Sequence, residues 1–169
     1  MAELLIQLTK RPDGGAVLRC VRGDGTVTWQ RHEGAHGRFF PLHDLTHYAV
    51  ETTLGFRSGF YGLIADGWDI SETTGKTKRG PLPAEAILVE QIVGFLDAER
   101  GGRTESTAEE FNRYLANAPA TAGLRERREV SEAELRTIRE RAREMWSRWF
   151  GLPSGQTLEL RCDMASTQV

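Results

Sequence analysis

The feature that most constrains the fold is a period-two alternation at the start of the chain. In residues 3–10 Leu4, Ile6 and Leu8 alternate with Gln7 and Thr9, and successive side chains of a strand point to opposite faces, so this segment buries one side and wets the other. Pro12-Asp13-Gly14-Gly15 combines a fixed φ at proline with permissive φ at the glycines, which is turn chemistry leading into a second strand at 16–22. Gly23-Asp24-Gly25 repeats the device before a third strand at 26–30, with Val27 and Trp29 on one side. Residues 3–30 therefore read as an antiparallel three-strand meander.

The apolar spacing then becomes helical. The glycine-interrupted 32–37 segment reads as loop, and Pro41 opens a helix that runs to Leu54 and stops at Gly55, with Leu42, Leu45, Ala49 and Thr53 on the face that meets the sheet. A short helix follows at 59–65, weakened by Gly62. Residues 66–83 form a surface loop. Its Gly75-Lys76-Thr77 resembles the end of a phosphate-binding loop, but Ile70 stands where that motif needs its first glycine, which excludes the nucleotide reading. Residues 84–99 are apolar nearly all round and predict a central buried helix. The pairs Thr107 with Glu110 and Ser131 with Glu134 are capping boxes that open helices at 108–117 and 132–150. A last strand at 156–162 alternates Leu158, Leu160 and Cys162. The expected architecture is α+β: a small antiparallel sheet, made of the N-terminal meander plus a C-terminal strand, packed against four or five helices. It forms one domain over 1–169, with 118–130 the linker-like stretch and 164–169 a frayed tail.

Composition narrows the function classes. A net charge of −2 from 22 basic and 24 acidic residues removes the global argument for a nucleic-acid binder. The arginines of 125–148 are interleaved with glutamates, as on a solvated, self-paired helix face. No apolar run is long enough for a bilayer span, and the N-terminus has no basic region followed by an apolar stretch, so the expected address is the cytoplasm. Cys20 and Cys162 sit at apolar strand positions and are expected reduced and inert. The stripe of Met145, Trp146 and Trp149 reads as core, with a homodimer surface as its alternative.

All four histidines, His32, His36, His43 and His47, fall within sixteen residues. His43 and His47 lie one helical turn apart, so both imidazoles can meet one ion. With Asp44 between them, His43-Asp44-Leu45-Thr46-His47 has the layout of the zinc-protease signature H-E-x-x-H, in which two histidines bind zinc and the carboxylate acts as general base. The literal match, His32-Glu33-Gly34-Ala35-His36, is discounted because Gly34 and Gly37 argue against helical presentation. His36, His32 or Glu90 can supply a third ligand. Glu51 lies eight residues from His43, a rise of about 12 Å, so its expected role is to orient His47. Glu90 interrupts an apolar helix, with Gly94 and Asp97 on its stripe, and a buried carboxylate needs a histidine, arginine or metal partner.

The runs Phe39-Phe40-Pro41-Leu42-His43-Asp44-Leu45-Thr46-His47-Tyr48-Ala49-Val50-Glu51 and Gly59-Phe60-Tyr61-Gly62-Leu63-Ile64-Ala65-Asp66-Gly67-Trp68-Asp69-Ile70 resemble a family of small bacterial proteins. The resemblance covers about the middle third of the chain, and it implies a bacterial source without implying an activity.

Two functional expectations follow. The first is a metal-binding protein, a divalent-metal-dependent hydrolase with zinc as the expected ion. His43 and His47 would be ligands with His36 or Glu90, Asp44 the base and Glu51 the orienting acid, acting on a small-molecule or peptide ligand. The second is a noncatalytic binding module in which the histidines buttress the sheet and loop 66–83 contacts a partner.

Overall fold

The computed structural model describes residues 3–76, 79–118 and 128–163. Residues 119–127 of the linker-like stretch and the tail at 164–169 lie outside the described residues. Four strands, β1 (Glu3–Lys10), β2 (Ala16–Arg22), β3 (Val27–His32) and β4 (Thr157–Asp163), form an antiparallel sheet in the order β3-β2-β1-β4. The expected meander is present, and the C-terminal strand pairs with β1, Leu4 opposite Cys162 and Leu8 opposite Leu158.

One face of the sheet carries Leu4, Ile6, Leu8, Leu18, Cys20, Leu158 and Leu160, all buried. Against it pack Leu42 and Leu45 of α1 (Gly34–Leu54), Tyr61 and Ile64 of α2 (Phe60–Ala65), and Met145 and Trp149 of α5 (Glu132–Gly151). A second cluster joins Val50 and Leu54 of α1 to Val89, Ile92 and Leu96 of α3 (Ala84–Arg100), Phe111 and Leu115 of α4 (Ala108–Asn117), and Leu135 and Ile138 of α5. Helix α1 is thus the shared spine, facing the sheet on one side and α3 on another. Both expected capping boxes are formed, at Thr107 with Glu110 and Ser131 with Glu134.

Four places change or add to the local expectations. Helix α1 begins at Gly34 rather than Pro41, so Pro41 lies inside it. Gly37 lies inside the helix, and because a Cβ there would come within 2.8 Å of the Gly15 Cα, its bareness lets α1 cross the β1–β2 turn closely. On β3 the buried residues are Thr28 and His32, while Trp29 is 60% exposed. The register sets Thr28 opposite Cys20 and Val27 opposite Val21, so Thr28 shares the helix-covered face. Loop 66–83 contains a 3₁₀ turn, Ile70–Thr74, capped by Asp69 and Glu72. Helix α3 buries one side only, with Ile87 half-buried and Glu90 and Gly94 exposed. Among the described residues no helix is long and apolar enough to cross a membrane.

Candidate metal centre

The histidines at i and i+4 of α1 point to the same side, with ring centroids 4.8 Å apart. That side meets α3, which contributes two acids. The Nδ1 of His43 lies 2.6 Å from Asp97 Oδ2, and its Nε2 lies 3.9 Å from Glu90 Oε2. The Nδ1 of His47 lies 3.1 Å from Glu51 Oε1, and its Nε2 lies 3.0 Å from Glu90 Oε1. One ligand atom each from His43, His47 and Glu90 falls within 4.8 Å of the other two. These three residues could hold a metal ion.

Each orienting carboxylate has its own support. Glu51 is fully buried in its side chain and accepts from the backbone N–H of Tyr61 at 3.0 Å and of Gly62 at 3.3 Å, at the start of α2. Asp97 accepts from Arg100 at 3.0 Å, and the Arg100 guanidinium also lies over the rings of Phe39 and Trp146. Phe39 stacks on His43, and Phe60 tilts against His47. A carboxylate on Nδ1 selects the tautomer that leaves Nε2 as the metal-facing nitrogen.

Electrostatics centre on His47. Burial pushes its pKa down, but the charges of Glu90 and Glu51 and their hydrogen bonds outweigh that and hold it up at about 10. Burial raises the pKa of Glu51 against the lowering pull of His47. For Glu90, burial is opposed and overcome by the His47 charge, which leaves its carboxyl below the ordinary value. A proton and a cation therefore compete for the same Nε2. The set lies at the protein rim: the His47 side chain is 1% exposed, that of His43 17% and that of Glu90 44%. Glu90 is thus less enclosed than its apolar neighbours in the sequence suggest.

Of the residues singled out in the sequence, His43, His47 and Glu90 come together and Glu51 lies against His47. His36 does not join them: it is exposed on the first turn of α1, its ring edge-on to Phe40. Asp44 is directed to the sheet, one residue and about 100° around the helix from His43. Its Oδ2 lies 3.1 Å from His32 Nε2 inside the protein, and its charge is felt by Cys20. His32 ends β3 while His36 lies in the first turn of α1, so the literal H-E-x-x-H run does not present its histidines on one helix. Sequence reasoning set Asp97 on the Glu90 stripe without giving it a part at His43, and it missed Arg100. Asp97 lies seven residues beyond Glu90, on the same helix face, and that spacing was the available signal.

Comparisons with protein-family models, with curated proteins and with solved structures find no match to this chain.

Proposed function

We propose that the protein is a metal-dependent hydrolase that holds zinc on the Nε2 atoms of His43 and His47 and on the Glu90 carboxylate. The observation that carries this reading is the pairing of both Nδ1 atoms with separate carboxylates, Asp97 and Glu51, while both Nε2 atoms turn toward Glu90. Two imidazoles and one carboxylate suit zinc and leave a fourth position for water or substrate. An ion in such a site brings the pKa of a bound water to about 7. Glu51 and Asp97 keep the imidazoles aimed, and the α2 amides and Arg100 keep those two acids in place. Asp44 is committed to His32, so the reading assigns it support of the α1–sheet contact and leaves activation of water to the ion. The substrate class is a small molecule or peptide, consistent with a site at the rim.

A noncatalytic module is the second reading, favoured by one observation: both nitrogens of His47 already have carboxylate partners, as in a self-contained buried network. Untagged protein analysed for metal content, alongside His47→Ala and Glu90→Gln, separates the two. The enzyme reading expects one zinc per chain, lost in both variants while far-UV circular dichroism stays native in Glu90→Gln, and zinc-dependent hydrolysis of chromogenic ester, amide or phosphoester substrates. A folded protein that takes up no metal from micromolar zinc supports the module.

A further inference from the structure

A cavity of about 600 Å³ opens between α1, α5 and the end of β4, and His43, His47 and Glu90 are not among the residues that line it. Sites for small organic ligands run to about 300–1,000 Å³. Tyr48 and Thr52 stand one turn apart on the α1 wall, and Arg141, Glu144 and Met145 stand at i, i+3 and i+4 on the α5 wall. Phe56 and Met145, with Cys162 of β4, are buried and give the cavity an apolar side. Most of its charged residues are already engaged. The Glu51 carboxylate is held by His47 and the α2 amides, Arg161 pairs with Glu3 at 2.9 Å, and Arg57 and Asp163 make interactions of their own. Arg141 and Glu144 differ. They lie three residues apart on one helix face, the spacing at which opposite charges ordinarily meet. Among the described residues neither forms an ion pair, whereas Arg139 and Arg143 of the same helix pair with Glu99 and Glu105. The Arg141 guanidinium instead reaches across to α1, donating to Thr53 Oγ1 at 3.1 Å, and its charge is felt at the Tyr48 hydroxyl.

We propose that this cavity binds a small zwitterion, an amino acid with an apolar side chain, its carboxylate on Arg141 and its ammonium on Glu144. The planar fork of a guanidinium matches a carboxylate, and an ammonium has only donors to offer, which a carboxylate accepts. The apolar side chain of the ligand lies against Phe56, Met145 and Cys162. Such a ligand answers both charges that the walls leave without an ion pair. A simple anion would face Glu144 unmatched, and a simple cation would face Arg141 in the same way. The site stands apart from the metal centre and needs no ion.

The test uses the full, isotope-labelled chain, freed of metal by a chelator and held at low salt so that charges are little screened. It is titrated with L-phenylalanine, with hydrocinnamate, which lacks the ammonium, and with phenethylamine, which lacks the carboxylate, while backbone amide shifts are followed by NMR. Expected are saturable shifts at Thr52, Phe56 and Met145 with L-phenylalanine. Each analogue should bind more weakly by about tenfold or more, the scale of one lost charged hydrogen bond. Arg141→Gln should weaken L-phenylalanine and hydrocinnamate and spare phenethylamine; Glu144→Gln should weaken L-phenylalanine and phenethylamine and spare hydrocinnamate. Both side chains are exposed, so the variants keep the fold, and the three compounds on the wild-type chain decide the matter without them. L-phenylalanine that binds no tighter than either analogue, shifts confined to residues outside the cavity, or no saturable shift overturns the inference. An L-phenylalanine affinity that neither variant changes overturns it as well.

Discussion

Gly59 offers the sharpest way to disturb the centre without touching a ligand. A Cβ built on Gly59 would lie 2.5 Å from Glu51 Cδ, 2.7 Å from Oε2 and 2.9 Å from Cγ. Ordinary carbon contacts sit at about 3.5–4.0 Å, so in Gly59→Ala the Glu51 carboxylate must retreat by about 1 Å. It has nowhere to go: the side chain is fully buried, with Oε1 3.1 Å from His47 Nδ1 and Oε2 receiving the amides of Tyr61 and Gly62. Overpacking of this kind costs about 1–3 kcal/mol, which for a chain of this length lowers Tm by about 2–12 °C. Displacing the acid that orients His47 also weakens metal binding by about 10–100-fold. Gly151→Ala is the control, because a Cβ at Gly151 meets nothing within 4 Å. Thermal unfolding followed by circular dichroism, with zinc competition against a chromogenic chelator, measures both effects. A Gly59→Ala protein with wild-type Tm and wild-type zinc affinity refutes the reasoning that ties Glu51 to His47.

Asp97→Asn keeps the shape of the His43 partner and removes its charge, and is expected to weaken zinc binding by about tenfold or more; unchanged affinity in the chelator competition would show that Asp97 does not orient His43. Acid should loosen the helix starts. The Glu110 and Glu134 carboxyls sit below their ordinary values chiefly because the backbone N–H groups of Thr107 and Ser131 bind them. The native state therefore holds fewer protons there than the unfolded chain, and this stability is complete above about pH 4.3, the unfolded glutamate value, and is lost as pH falls through the native values. Urea titrations across pH 7 to 3 should show less acid loss in Glu110→Gln with Glu134→Gln than in wild type; equal loss would place the acid sensitivity elsewhere.

The parts of the fold legible in the sequence are those where one rule acts locally. Alternation at Leu4, Ile6 and Leu8 sufficed for β1, and two hydroxyl–glutamate pairs sufficed for the starts of α4 and α5. Which face of β3 is buried was not legible because register outranks hydrophobicity at an edge strand: Thr28 follows Cys20 inward and meets partners from a distant loop, Asp69 Oδ2 at 3.0 Å and the Ile70 amide at 3.1 Å. The start of α1 was misplaced because Gly37 and Pro41 look like helix breakers, whereas Gly37 serves close packing on the β1–β2 turn. At the centre, the i, i+4 spacing of His43 and His47 was readable, as was the oddity of Glu90 on an apolar helix. That Glu90 rather than His36 meets the histidines depends on α3 packing beside α1. That Asp44 turns to His32 depends on where β3 ends, a contact across twelve residues that spacing on one helix does not reveal.

X-ray absorption at the zinc edge of the untagged, zinc-loaded protein tests the central claim most directly. The account predicts a shell of nitrogen and oxygen donors only, at about 2.0–2.2 Å, with outer-shell scattering that requires two imidazoles. A sulfur donor, or a spectrum without the scattering of two imidazoles, would contradict it.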